Sequence, residues 1–404
     1  MMELLRLEHK KLWHRRSVQT GVLLCFLYII IFGDLLSYQW FTFGSADDFT
    51  SSFGNHFDGY SNIRKKQEYA KQWEGDLTDE TLQAMVRDYQ ERAGSNDISE
   101  YEMTDWEALN AWVQTLWPEL EEADQPYIML SYVDPSQLTG FEERREKALD
   151  NFLDMNGQTG EEKEYFLNMY TKVDTPLQYR WTKGWTFVTA DFVSQCGVIL
   201  GIFLAIGIAP MFCGEWHDRT KALIATTKNG WKKIAGVKVM AAVLFTLELY
   251  GIITVSSAFL QIVFLGTEGW DMPIQCIKIL AAAPWNVLQA EIYEYIYLLL
   301  AALGYTGIVL LCSALTKSNY VSLLISLAII FVPMAASQFL PLWGQRLLDL
   351  IPFVGSSTDI FRTNTYHLFG LRIWSPYLLI TVPISLGLIS LPFAVHFWAK
   401  RAKI

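Results

Sequence analysis

The chain has 404 residues, of which 51% are hydrophobic and 14% aromatic, and it carries a formal net charge of −10 at pH 7. This apolar content exceeds that of most soluble globular chains, and the apolar residues form long blocks. The composition therefore excludes an ordinary soluble protein and predicts an all-α integral membrane protein.

Six blocks are long enough to cross a bilayer core, which takes about 20 consecutive apolar residues in a helix. The predicted transmembrane helices are approximately Val18–Tyr38, Phe187–Cys213, Ile234–Leu265, Leu288–Ser313, Tyr320–Leu340 and Tyr377–Trp398. The corresponding division is a cytoplasmic helix at 1–17, the first transmembrane helix at 18–40, an extracytoplasmic domain at 41–186, and transmembrane helices two to six within 187–404.

The basic start before the first block is also compatible with a cleaved signal peptide. The apolar run is long for such a peptide, however, and no A-x-A cleavage site follows it. We therefore expect the first block to remain in the membrane as a transmembrane helix.

The basic residues outside the blocks predict the orientation of the chain. Those that fall on one side are Arg6, Lys10, Lys11, Arg15, Arg16, Arg219, Lys221, Lys228, Lys232, Lys233, Lys238, Lys317, Lys400, Arg401 and Lys403. By the positive-inside rule this side is cytoplasmic and holds both termini. The opposite side holds Phe41 to Thr186, with 29 acidic and 13 basic residues.

Helical patterns recur in this acidic domain. One apolar stripe comprises Leu82, Met85, Val86 and Tyr89, and a second comprises Leu109, Trp112, Val113 and Leu116. Thr104 with Glu107, and Thr159 with Glu162, have the spacing of capping boxes. The stripes predict the core of a small helical bundle, and the alternative is a groove that handles or screens a substrate.

Several signatures of catalysis are missing from the sequence. It contains no G-x-x-x-x-G-K-[ST] phosphate loop, no H-E-x-x-H or paired C-x-x-C spacing and no G-x-S-x-G turn. All five cysteines lie in or near the apolar blocks, so no disulfide is expected in the acidic domain, which favours a bacterial plasma membrane. We expect no enzyme activity, cofactor or metal in this chain, and a transport role would need energy from a partner.

The segment 214–233, between the second and third blocks, combines a charged start, a small apolar face and a turn at Asn229-Gly230. Its candidate functional residues are Glu215, Arg219, Thr220, Leu223, Ile224, Thr227 and Gly230. One interpretation is an ordinary connector, in which the lysines only set the orientation of the chain in the membrane. A short amphipathic helix bounded by a turn is also suited to transmit force from a cytoplasmic partner.

This segment, with Glu215, Thr220, Leu223 and "TTKNGWKKIAGVK" from Thr226 to Lys238, resembles the cytoplasmic segment of ABC-2 type permeases, the membrane subunits of ATP-binding-cassette exporters. The basic start "MMELLRLEHKKLWHRRS", the six spans, the large insertion after the first span and "LCSALTKSNY" extend the resemblance. It implies that residues 1–17 form an amphipathic interfacial helix and that 214–233 holds a coupling helix.

The resemblance further implies the partners of the chain. These are two copies of a separate ATPase subunit, which binds ATP and Mg, a second permease subunit that is identical or paralogous, and the lipid bilayer, with no nucleic acid. The exported substrate would be a peptide such as a bacteriocin, a drug, a lipid-like molecule or an ion. The alternative from another class is a membrane sensor or assembly protein whose external domain binds a ligand.

Acidic residues inside the apolar blocks are further candidates, because a charge at the centre of a bilayer costs about 2.5–3.5 kcal/mol on insertion scales. Glu248 is the deepest in sequence and is a candidate for the transport pathway or a subunit interface, with a structural role as the alternative. Asp34, Asp191, Glu291 and Glu294 are expected near the interfaces and in contact with solvent.

Overall fold

The computed structural model describes residues 2–28, 67–68, 70–94, 106–121, 128, 130–181, 193–217, 230–355 and 363–402. Its α-helices are α1 (Met2–Trp13), α2 (Arg16–Tyr28), α3 (Asp79–Gly94), α4 (Trp106–Leu116), α5 (Phe141–Met155), α6 (Glu161–Tyr170), α7 (Val193–Ile208), α8 (Pro210–His217), α9 (Gly230–Leu265), α10 (Val287–Leu315), α11 (Asn319–Ser337), α12 (Leu342–Leu348) and α13 (Ser375–Ala402). The strands are β1 (Gly75–Asp76), β2 (Gln178–Tyr179), β3 (Thr365–Leu368) and β4 (Leu371–Trp374).

Among the described residues, five segments are long and apolar enough to cross a membrane. They are Cys196–Glu215, Lys233–Ser256, Val287–Leu315, Asn319–Ser337 and Ser375–Lys400. They correspond to the predicted second to sixth spans and support a helical membrane protein. The helix α2 covers the beginning of the predicted first span, and the rest of that span lies outside the described residues.

The second span is interrupted between α7 and α8. Pro210 begins α8 and has no N–H to continue the hydrogen-bond ladder of α7. The Ser313 hydroxyl of α10 accepts hydrogen bonds from the backbone N–H groups of Phe212 (2.9 Å) and Cys213 (3.2 Å). The Ser322 hydroxyl of α11 donates to the Ala209 carbonyl (3.1 Å). Neighbouring helices thus satisfy backbone groups at the break, as an apolar environment requires.

The helices α10 and α13 cross with their backbones in contact. A Cβ atom at Gly304 would clash with the backbone of Pro383, and one at Gly307 would clash with the backbone of Gly387. Small residues at such a crossing let two membrane helices approach closely. On another face of α10, the hydroxyls of Thr246 and Thr306 lie 2.7 Å apart and join α9 to it.

Residues 70–181, as far as they are described, form a largely helical unit that we call the insertion unit. Both predicted apolar stripes are buried in it, with Leu82, Val86 and Val113 completely inaccessible. The predicted capping box at Thr159 is wrong, because Gly160 is the N-cap of α6 and makes no side-chain cap. The carboxylate of Glu162 instead accepts hydrogen bonds from the N–H (3.0 Å) and the hydroxyl (2.8 Å) of Thr365. The Thr104–Glu107 pair lies outside the described side chains.

The insertion unit packs on two loops that the sequence places on the same side of the membrane. The Trp112 indole donates to the Cys276 carbonyl (3.0 Å) in the loop 266–286 between α9 and α10. A salt bridge of 2.7 Å joins Arg372, in the β3–β4 hairpin that precedes α13, to Glu161. This hairpin and the β1–β2 pair are small antiparallel additions to the predicted all-α fold.

Candidate functional site

Four charged side chains meet at the end of the helix bundle remote from the insertion unit, and we call them the charge cluster. Its members are Glu8 and Lys11 of α1, Glu215 of α8 and Lys238 of α9. Lys238 Nζ lies 2.7 Å from Glu8 and 2.8 Å from Glu215. Lys11 Nζ lies 2.6 Å from Glu8 and 4.0 Å from Glu215. The cluster therefore joins three helices that are distant in the sequence.

Three members of the charge cluster are largely removed from solvent, with the Lys238 side chain only 3% exposed and those of Glu8 and Glu215 at 12% and 13%, whereas Lys11 is 60% exposed. Burial alone would raise the pKa of Glu8, but the nearby charges and hydrogen bonds of Lys238 and Lys11 outweigh it and lower that pKa. Burial likewise opposes the charge of Lys11, but Glu8 and Glu215 outweigh it and raise its pKa. Both shifts favour the charged, paired form of the cluster.

The cluster lies at both ends of the predicted coupling segment. Glu215 is in the last turn of α8, and Gly230 is the first residue of α9, which begins four residues before the predicted third span. The other predicted coupling residues, Arg219, Thr220, Leu223, Ile224 and Thr227, lie outside the described residues. Glu215 pairs with Lys238 and Lys11 of its own chain, a contact that sequence spacing alone did not indicate.

Three aromatic rings pack at the same end of the bundle. Trp398 of α13 lies 5.1 Å from Phe212 of α8 and 4.9 Å from Trp231 of α9, measured between ring centroids. Trp398 is 1% exposed. This cluster was not predicted from the sequence, although aromatic residues do stand at or near the ends of three apolar blocks. The rings fix the start of α9 against the last helix.

Glu248 lies within the candidate span Lys233–Ser256 and interacts with the N-terminal helix. Its Oε2 atom lies 2.7 Å from His9 Nε2 and accepts a hydrogen bond of 2.7 Å from Trp13 Nε1. The Trp13 ring also packs edge-on against Phe245, with centroids 5.4 Å apart. The helix α1 thus extends along α9 from the charge cluster to Glu248, inside the candidate span.

A groove opens beside Glu248 and has a volume of about 760 Å³. One wall is formed by α9 and the other by α1 and α2. The lining residues are Trp13, Phe26, Glu248, Gly251, Ile252, Val255, Ser256 and Phe259. Glu248 is the only formally charged residue among them, and its side chain is 43% exposed.

Glu291 and Glu294 correct a prediction, because both are buried and not solvated. Glu294 is completely inaccessible and Glu291 is 4% exposed. Both carboxyl oxygens of Glu294 and the Oε2 atom of Glu291 have no hydrogen-bond partner among the described residues. The physical reason is a tertiary one, since α10 packs among α7, α9, α11 and α13. Asp34 and Asp191 lie outside the described residues.

Comparison of the chain with protein-family models, with curated proteins and with solved structures finds no match. The functional proposal therefore rests on the sequence and the geometry of this chain.

Proposed function

We propose that this chain is the transmembrane permease subunit of an ABC-2 type ATP-binding-cassette exporter. It would pair with two copies of a separate ATPase subunit and with a second permease subunit, identical or paralogous, in a bacterial cell membrane. Support comes from the five apolar helices, the basic residues gathered on one side, and the resemblance of the segment 214–233. ATP and Mg would bind to the partner, because the sequence of this chain has no phosphate loop.

The charge cluster is the observation that carries this proposal. A coupling segment can transmit force only when both of its ends are held firmly by the transmembrane helices. Glu215 precedes the undescribed residues 218–229, and Lys238 follows them, and these two side chains are joined at 2.8 Å with little exposure to solvent. A displacement of this segment would therefore move α8 and α9 together.

The helix α1 offers a route from this end of the bundle into the membrane. Glu8 is bound to Lys238 in the charge cluster, and Trp13, five residues later in the same helix, is bound to Glu248. A rigid-body movement of α1 that follows the cluster would thus change the surroundings of Glu248. The same hydrogen bonds also satisfy Glu248 from a neighbouring helix, as a structural role would require, so we propose the pathway role on the groove that opens beside this carboxylate.

The experiment compares Leu223→Asp with Ala225→Asp in the chain coexpressed with the candidate ATPase. Both variants add one negative charge. If residues 214–227 are helical, residues 223 and 225 lie on opposite faces, and only Leu223→Asp places the charge on the apolar face. Burial of Leu223 and Ile224 in a partner groove is worth roughly 3–6 kcal/mol before the costs of association. We expect Leu223→Asp to abolish copurification of the ATPase and stimulation of its ATP hydrolysis, and Ala225→Asp to preserve both. Wild-type copurification and activity in Leu223→Asp would reject docking at this segment.

A cavity of about 360 Å³ favours the alternative function, a membrane sensor. It lies between α4 and α5 of the insertion unit and is also lined by Leu280 of the loop 266–286. A ligand in this cavity would contact both the insertion unit and the connection between two spans. The sensor proposal predicts that filling the cavity with Ala148→Trp alters signalling and that no ATPase copurifies, whereas the export proposal predicts that an ATPase copurifies.

A further inference from the structure

We propose that the groove beside Glu248 binds a hydrophobic monocation, such as an aryl phosphonium or an amphiphilic ammonium compound. The biological role of this groove rests on the proposed export function. Binding of the cation itself requires no ATPase. The groove has a volume of about 760 Å³, which is within the range of about 300–1,000 Å³ that small-molecule sites occupy.

The charge of the ligand follows from the hydrogen bonds of Glu248. His9 and Trp13 both contact Oε2, whereas Oε1 has no hydrogen-bond partner among the described residues. When His9 is neutral, the pair carries one net negative charge in apolar surroundings. A carboxylate in such surroundings attracts a cation strongly, because the local dielectric constant is low, and it repels an anion.

The hydrophobic character of the ligand follows from the walls. Ile252, Val255 and Phe259 form one side, and Phe259 and Val255 are 62% and 67% exposed to the groove and its surroundings. Trp13 and Phe26 supply aromatic rings on the other side. Aromatic faces near a carboxylate favour a diffuse organic cation, which gains cation–π contacts and loses little hydration.

Two other occupants fit the groove less well. A lipid acyl chain would fill the apolar walls but would leave the exposed Glu248 carboxylate without a cation. A second copy of this chain would need a basic residue at mid-membrane depth. Within the described spans, α7, α10 and α11 contain no Lys or Arg. The basic residues of α9 and α13 lie near the helix ends, and the one farthest from an end is Lys238 in α9. The observations therefore favour a small organic cation.

The test measures binding of tetraphenylphosphonium to the purified full-length chain in lipid nanodiscs at about pH 8, with tetraphenylborate as an anion of the same shape. We expect saturable binding of the cation and none of the anion. Glu248→Gln should weaken binding about tenfold or more, the order expected for the loss of a charged contact.

Two glycines of α9 supply a matched pair of variants. A Cβ atom at Gly251 or at Gly236 would meet no atom of the described residues within 4 Å, but only Gly251 lines the groove. We expect Gly251→Phe to abolish binding and Gly236→Phe to leave it unchanged, with unfolding temperatures used to verify folding. If Gly251→Phe fails to fold, Gly251→Leu replaces it.

Three results would overturn the inference. They are nonsaturable partition of the probe, equal binding of the cation and the anion, or equal affinity in wild type, Glu248→Gln and Gly251→Phe. A change from dimer to monomer in Gly251→Phe with unaltered probe binding would assign the groove to a subunit interface instead. Saturable binding by a chain that recruits no ATPase would preserve this inference and reject the proposed export function, so the two failures are distinguishable.

Discussion

Lys238 Nζ and Glu215 Oε1 lie 2.8 Å apart, with side-chain exposures of 3% and 13%, and so join α9 to α8 across the undescribed residues 218–229. Glu8 contacts the same lysine at 2.7 Å. One buried cation thus serves two carboxylates, and the first prediction concerns its removal.

We expect Lys238→Met to destabilise the protein by about 3–5 kcal/mol, because it leaves two buried carboxylates without their main partner. The matched control is Lys233→Met, which removes an exposed lysine of the same helix and should change stability little. Thermal unfolding in detergent gives the difference. The triple variant Lys238→Met, Glu8→Gln, Glu215→Gln should recover part of the loss, and no recovery would show that the charges are not coupled.

The charge cluster also predicts a plateau in the pH dependence of α1 docking. The pKa of Glu8 is lowered in the folded state, so its stabilisation is complete above the unfolded value of about 4.3 and is lost as pH falls through the folded value. The pKa of Lys11 is raised, so its contribution is complete below about 10.4 and is lost as pH rises through the folded value.

A disulfide cross-link between cysteines introduced into α1 and α9, formed at each pH with a pH-independent oxidant, measures this docking. In a His9→Gln background, which removes the imidazole that also joins α1 to α9, we expect constant cross-linking from about pH 5 to about pH 10 and a decrease on either side. In Glu8→Gln the cross-linking yield should be lower at every pH, and the decrease at acid pH that is due to Glu8 should be absent. An acid limb identical to that of the wild type would contradict the assignment to Glu8.

The crossing of α10 and α13 predicts a second strong effect. Ordinary overpacking costs about 1–3 kcal/mol, and Gly304→Val should destabilise the chain by more. The new side chain would meet backbone atoms of Pro383 and Ile384, which cannot rotate away. Gly251→Ala is the control, since its Cβ meets no atom within 4 Å. Equal unfolding temperatures for the two variants would show that the helices do not touch at this point.

The buried carboxyl of Glu294 predicts a gain in stability. In the part of the chain that the structure describes, neither of its oxygens has a hydrogen-bond partner, and an unsatisfied buried polar group costs about 1–3 kcal/mol. We therefore expect Glu294→Leu, which has similar volume, to stabilise the chain by about that amount, and Glu294→Gln to give little gain because its polar atoms stay unsatisfied. Destabilisation by Glu294→Leu would reveal a partner of the carboxyl. A stabilised variant that has lost transport would show that Glu294 is retained for function.

The sequence predicted those features that depend on neighbouring residues. Blocks of apolar residues located five spans, and the stripe from Leu82 to Tyr89 located the core of the insertion unit, because helical spacing alone decides which side of a helix is buried. The β3–β4 hairpin was not predicted, because Phe369-Gly370 is a weak turn signal; in the structure both residues have positive φ values, 51° and 79°.

Features that depend on contacts between distant segments could not be predicted in this way. Nothing near Glu8 in the sequence indicates that Lys238 will lie against it, since 230 residues separate the two. Glu294 was expected in solvent because it lies near a helix end, but the helices that pack around α10 leave it inaccessible. For the same reason, the sequence identified Glu248 as a candidate but did not identify His9 and Trp13 as its partners.

Coupling to a partner ATPase requires that the coupling segment face the cytoplasm, because an ATPase can reach it only from there. Impermeant thiol labelling of intact cells tests this with Ser95→Cys in the insertion and Ser318→Cys before α11, in a background without native cysteines. We expect labelling of Ser95→Cys in intact cells and of Ser318→Cys only after permeabilisation. Labelling of Ser318→Cys in intact cells would contradict the topology and, with it, the proposed coupling to a cytoplasmic ATPase.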